Sequence, residues 1–181
     1  MRSFLFLNGS TRPVAQTGNS VTLAKLAAGH LPDGATQHWV DLARLSLPSF
    51  EDQRHTTGVY PMPEGDSKIL LEATLAATDL VMVSPVYWFS VPATIKMYLD
   101  HWSGWLRVPG LDFKAKMAGK NFWVVSTSGD RAKAQAMFDS YRLCADFLGM
   151  QWQGVLWGKG GAPDAVLADQ AACSEAKRFF A

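Results

Sequence analysis

Short apolar runs alternate with longer amphipathic ones along the whole chain. Phe4–Leu7, Gln37–Val40, Leu80–Val83, Phe122–Val125 and Gln151–Trp157 are short, rich in apolar residues and bounded by polar residues or glycine, which predicts strands. Helical periodicity fills the intervals. Asn19–Leu31 places Val21, Leu23, Leu26 and Ala27 on one side, and Ser67–Ala77 does the same with Ile69, Leu70, Ala73 and Leu75. Pro92–Trp102 opens on a proline, which suits a first helical turn, and Ala132–Leu148 and Pro163–Phe180 complete the set. Repeated strand–helix alternation predicts a parallel sheet covered by helices on both faces, in one domain spanning residues 1–181. Leu42–Asp66 is a long segment rich in proline and polar residues, of the kind that is functional or mobile, and Lys114–Lys120 is a shorter break.

Composition narrows the function without naming it. The chain has 181 residues, 48% of them hydrophobic and 18% charged, as expected of an ordinary folded domain. Its formal net charge of +1 gives no electrostatic reason to expect nucleic acid or an anionic membrane surface as partner. Two cysteines, Cys144 and Cys173, lie far apart inside predicted helices, with neither metal-ligand spacing nor a disulfide framework. The apolar start breaks at Asn8–Gly9–Ser10, too early for a signal peptide or a membrane span, so a cytoplasmic location is expected. His30, His38, His55 and His101 are scattered and show no metal spacing.

In a sheet of this kind ligands collect outside the carboxyl ends of the strands, so the residues after each apolar run carry the functional argument. After the first run come Asn8–Gly9–Ser10–Thr11–Arg12, and Thr17–Gly18–Asn19–Ser20 opens the first helix. Hydroxyls, a side-chain amide and unpaired amides at a helix start make an anion site; the plainer reading is a hydroxyl-rich helix cap. A P-loop is excluded because Asn19, not lysine, follows Gly18, and Gly9 and Gly18 are too far apart for a dinucleotide fingerprint. After the third run, Ser84–Pro85–Val86–Tyr87–Trp88–Phe89–Ser90–Val91–Pro92–Ala93 clusters rings between two prolines. That stretch offers flat apolar walls for a planar heterocycle, or else forms a satellite core with Trp102 or Trp105. Ser126–Thr127–Ser128–Gly129–Asp130 follows the fourth run, without the Gly-x-Ser-x-Gly elbow of a hydrolase. Gly158–Lys159–Gly160–Gly161 reads as a flexible strand-to-helix connection.

The two motifs together, Ser10–Thr11–Arg12…Thr17–Gly18–Asn19–Ser20 and Ser84–Pro85–Val86–Tyr87…Pro92–Ala93…Lys96…Leu99–Asp100, resemble the NAD(P)H-dependent FMN reductases of the flavodoxin-like superfamily. The resemblance covers roughly Met1 to Asp130. It implies a flavodoxin-like three-layer sandwich with a five-stranded parallel sheet in the order 2-1-3-4-5. It implies FMN as bound cofactor, with NADPH or NADH as co-substrate. The FMN phosphate would lie in the Ser10–Ser20 loop, touching Ser10, Asn19 and Ser20 with Arg12, Thr17 and Gly18 around it. Pro85, Val86, Tyr87 and Trp88 would border the isoalloxazine, and the loop Ser126–Thr127–Ser128–Gly129–Asp130 would face its other edge, with Ser126, Ser128 and Gly129 as the contacts. Electrons would pass by a ping-pong mechanism to a quinone, an azo or nitro compound, a flavin or a similar small acceptor, in a homodimer or homotetramer. No catalytic side chain and no metal is expected.

The sequence departs from the family in two places. His101–Trp102 follows Leu99–Asp100 where relatives often carry arginine, and the stretch from Arg12 to Thr17 is longer. Trp102, Trp105 and Leu106 are read as core, dimer surface or lid, with a dimer surface preferred. Iron–sulfur relatives are excluded by the two distant cysteines. The alternative function is a non-enzymatic flavodoxin-like electron carrier, against which the near-neutral charge counts. A signalling receiver would need carboxylates where Asn8 and Ser84 stand.

Overall fold

Strand β1 (Ser3–Asn8) is apolar on both faces, and the chain buries it by building a sheet outward on either side. The computed structural model describes residues 1–13 and 16–181. β2 (Thr36–Asp41), β3 (Asp79–Val83), β4 (Asn121–Ser128) and β5 (Gln151–Lys159) complete a five-stranded parallel sheet in the order β2-β1-β3-β4-β5. The expected sheet and strand order are thus both present.

Alternation along the strands divides the core in two. Phe4, Phe6, Val81, Val83, Trp123 and Val125 face helices α1 (Asn19–Ala28) and α6 (Gln170–Ala176). Leu5, Leu7, Leu80, Met82, Phe122 and Val124 face α2 (Gly65–Ala76), α3 (Ala93–Trp105), α4 (Phe113–Met117) and α5 (Gln135–Leu148). Each such side chain contributes about 1.5–3 kcal/mol on burial. At the amino ends of the strands, the fully buried carboxylate of Asp79 pairs with Arg2 at 2.7 Å and accepts bonds from Asn121, Trp123 and Thr78. Desolvation pushes that carboxyl up, but the bonds from Arg2, Thr78, Trp123 and Asn121 outweigh it and hold it below its ordinary range.

Several sequence-based expectations need correction. Trp102 and Trp105 are buried, meeting Tyr98 edge-on at 5.4 and 5.8 Å, so they are core and not a dimer surface. The break at Lys114–Lys120 is in part the short helix α4, whose Phe113 and Met117 are buried. The last helical pattern forms a 3-10 turn (Ala165–Ala168) before the short α6. β5 absorbs one extra residue in a bulge, because Phe122 pairs with Trp152 but Trp123 pairs with Gly154, whose φ of 102° suits glycine. Both cysteines are free and sit on helices, Cys144 on α5 and Cys173 on α6. Among the described residues, no helix is long and apolar enough to cross a membrane.

Candidate functional site

At the carboxyl ends of β1, β3 and β4 the sequence trades apolar side chains for hydroxyls, and a cavity of about 230 Å³ opens there. Ser10, Arg12, Gly18, Asn19 and Ser20 form one wall. Pro85, Val86 and Tyr87 form the second, and Thr127, Ser128 and Gly129 the third. Gly160 and Gly161 close it from the β5 side. Among the described residues no carboxylate lines this cavity, while a guanidinium and five hydroxyl side chains do. Helix α1 points its amino end into it, with Gly18 as N-cap bringing no side chain to the first amides. The chemistry is that of an anion cradle.

Individual side chains divide the work. The Ser10 amide donates to Asn8 Oδ1 at 3.0 Å and the Arg12 amide to Ser10 Oγ at 3.3 Å, so the turn is held by its own side chains. Ser10 keeps its O–H to donate outward. Ser20 Oγ and Thr127 Oγ1 share a 2.8 Å bond joining α1 to β4; one of the two hydroxyl hydrogens remains available to a ligand. Asn19 lines the cavity but its amide is committed elsewhere. Nδ2 donates to Ala162 O at 2.9 Å, and Oδ1 accepts from the Val166 amide at 3.2 Å. Asn19 therefore straps the β5 exit to α1. Gly160 packs under that strap, where a Cβ would come within 3.0 Å of Thr127 Cβ and 3.4 Å of Asn19 Cβ.

The exit of β3 rests on a buried polar layer. Ser126 Oγ donates to Ser84 O at 2.6 Å and Tyr141 Oη to Ser84 Oγ at 2.8 Å, and the Ser84 amide reaches Val125 O at 2.9 Å. Burial pushes the Tyr141 phenol well up, so it stays protonated as a donor. Beyond Pro85 the chain makes a two-residue hairpin: Tyr87 and Ser90 exchange both backbone bonds, at 3.2 and 3.1 Å. Its central residues, Trp88 and Phe89, have φ of 49° and 62°, the signature of a type I′ turn. Such turns favour glycine and asparagine, and a bulky residue held there stores on the order of 1–3 kcal/mol. The rings gain no core contact in return. Trp88 is 92% exposed, Phe89 54% and Tyr87 37%, which excludes the satellite-core reading of this segment.

Trp88 and Phe89 line a second recess of about 640 Å³ with Asp130 and Lys133, and it shares Val86, Ser128 and Gly129 with the first cavity. Cradle and recess are thus adjoining parts of one cleft.

Of the residues singled out from sequence, Ser10, Arg12, Gly18, Asn19, Ser20, Pro85, Val86, Tyr87, Ser128 and Gly129 come together around the first cavity. Trp88 lies in the adjoining recess. Thr17 is exposed outside both linings. Ser126 is fully buried beneath the floor. Strand alternation explains the last placement: Val125 and Thr127 face α1, so Ser126 must face α5. Gly160, Gly161 and Val21 line the cavity and were missed, and Thr127, expected there only as part of the loop after the fourth run, lines it too. For Thr127 the period-two signal was present, whereas Gly160–Gly161 read only as a flexible connection. His101 lies away from the cleft, its Nε2 bonded to Pro48 O at 2.9 Å and its ring against Phe50 and Trp105.

A sequence profile of a family with the flavodoxin-like fold matches residues 2–178. YwqN of Bacillus subtilis (strain 168), named as an NAD(P)H-dependent FMN-containing oxidoreductase, is 31% identical over 177 residues, covering 96% of this chain and 94% of that protein. The structure of Trp repressor binding protein from Bacillus subtilis superposes with a TM-score of 0.74 at 26% identity, over 98% of this chain and 97% of that one. An FMN-dependent NADH-azoreductase from Bacillus anthracis str. Ames Ancestor, solved in complex with FMN, superposes with a TM-score of 0.66 at 16% identity, over 98% and 96% of the two chains. Sheet order, cleft and profile agree, and the chain belongs to the family with the flavodoxin-like fold.

Proposed function

We propose that this chain is an FMN-dependent NAD(P)H oxidoreductase that passes electrons from a reduced nicotinamide to a small acceptor such as a quinone or an azo compound. The observation that carries the reading is the cleft itself, a carboxylate-free hydroxyl cradle at a helix start opening into an aromatic recess. The names of YwqN and of the azoreductase point the same way.

The donor set fits a monoester phosphate. Ser10, Ser20 and Thr127 supply hydroxyls, Arg12 supplies a positive charge, and the first amides of α1 supply backbone donors. Val86, Tyr87, Ser128 and Gly129 border the junction where the ring would lie. When bound, FMN supplies the redox chemistry, taking a hydride from the nicotinamide and handing the electrons on. The chain's own groups bind and orient, and none is needed as acid or base. One open recess takes the nicotinamide first and the acceptor second, which gives ping-pong kinetics. Free thiols at Cys144 and Cys173 suit a reducing cytoplasm. Exposed Leu143 and Phe147, one turn apart on α5, suit a subunit contact in a homodimer or homotetramer.

The test is anaerobic spectroscopy on the purified protein. It should be yellow, bleach with NADPH or NADH, and regain its colour when a quinone or an azo dye is added. A yellow protein inert to both nicotinamides would be an electron carrier instead. A protein that takes up no FMN would end the reading.

A further inference from the structure

The outer recess has features that holding a flavin does not require. Trp88 and Phe89 are kept in left-handed conformations at a hairpin tip, their faces turned to solvent rather than to the core. Across from them the start of α5, through its 3-10 turn Ala132–Ala134, carries Arg131 and Lys133. Cations are misplaced at a helix amino end, because the dipole there is already positive, and the first turn holds no acidic residue. Asp130, which also lines the recess, accepts from the Ala132 amide at 2.9 Å. Arg131 lies over the Phe138 ring at 5.6 Å, and neither cation has an ion-pair partner among the described residues. A flat apolar shelf with Lys133 in its lining, and Arg131 two residues before it in the chain, complements a planar heterocycle that carries phosphate.

We propose that this shelf binds the adenosine-phosphate half of the reduced nicotinamide dinucleotide, with adenine against Trp88 and Phe89 and phosphate on Lys133 and Arg131. The inference rests on reading the adjoining cleft as the flavin site. The dinucleotide then lies across the recess, its nicotinamide end at the Val86–Ser128–Gly129 junction. The phosphate is either the 2′-monoester found only in NADPH or the diphosphate common to both nicotinamides. Either would relieve the charge at the start of α5.

The experiment is calorimetric titration of the FMN-saturated protein with 2′,5′-ADP and, separately, with 5′-ADP. Saturation keeps nucleotide phosphate out of the cradle. At least one nucleotide should bind, about tenfold or more weakly in Lys133→Glu and several-fold more weakly in Trp88→Ala. Preference for 2′,5′-ADP places the cations on the 2′-phosphate and makes NADPH the favoured donor. Preference for 5′-ADP, which carries the diphosphate that 2′,5′-ADP lacks, places them on the diphosphate, and equal binding places them on the 5′-phosphate that the two probes share. In steady state, Lys133→Glu should raise the KM for the nicotinamide and leave the rate at saturation near its original value. Binding of neither nucleotide, or binding indifferent to both substitutions, overturns the inference even if the enzyme turns over. Failure of the functional reading shows separately, as a protein without flavin absorbance, and the two substitutions still report whether nucleotide sits on the shelf.

Discussion

Asn19, Ser20 and Thr127 show how single side chains divide binding from support. Ser20 and Thr127 meet across the cavity at 2.8 Å, so removing either hydroxyl deprives both a ligand and the α1–β4 joint of a partner. Ser20→Ala or Thr127→Ala should weaken FMN binding by about 1.5–3 kcal/mol, or roughly ten- to a hundredfold, measured by fluorescence titration of the apoprotein. Asn19→Ala should act differently. It releases the Ala162 and Val166 contacts, so its first effect is on the denaturant midpoint of the apoprotein, with any loss of affinity following from a displaced β5 exit. An apoprotein of unchanged stability that binds FMN poorly would return Asn19 to direct contact. The sequence marked Asn19 and Ser20 alike because both are polar at a helix start. Their difference lies in Ala162 and Val166, more than a hundred residues away in the chain. Local pattern carries no record of such a partner.

At the scale of elements, strands were legible because each face of the sheet imposes its period of two. Phe4 and Phe6 on one side, and Leu5 and Leu7 on the other, read directly as a strand buried on both faces. The same period places Thr127 rather than Ser126 in the cleft, a distinction that composition at the end of β4 does not make. The Trp88–Phe89 hairpin was illegible for the opposite reason. Nothing in Tyr87–Trp88–Phe89–Ser90 looks like the asparagine and glycine of a tight turn, and the backbone bonds between Tyr87 and Ser90 override the preference. Because these rings are outside the core, Trp88→Ala should change apoprotein stability by less than about 1 kcal/mol, against about 3–5 kcal/mol for a buried aromatic. Replacement by glycine should stabilise the apoprotein by relieving the left-handed strain, and both variants should disturb nicotinamide kinetics. A large loss of apoprotein stability in Trp88→Ala would place the ring in a core contact.

For the whole molecule, the two ends of the sheet have opposite tasks. The amino ends are locked by Asp79 with Arg2, Asn121, Trp123 and Thr78, while the carboxyl ends carry the unfilled donors of the cleft. The Asp79 carboxyl titrates below its ordinary value when folded, so the native state binds that proton less readily than the unfolded chain does. Its stabilising contribution is therefore complete above the unfolded value of about 3.9 and fades as pH falls through the lower folded value. Asp79→Ala should lose on the order of 3 kcal/mol near neutral pH and flatten the acid limb of the stability profile, leaving the flavin spectrum of the folded fraction unchanged. An acid limb of unaltered slope would remove Asp79 from that account. The central claim concerns the other end of the sheet, that the hydroxyl cradle holds the phosphate of FMN. The most direct measurement is a parallel titration of the apoprotein with FMN and with riboflavin, which differ only in that phosphate. FMN should bind at least about a hundredfold more tightly, since two or more charge-assisted bonds are lost with riboflavin. Equal affinity for the two would contradict the account.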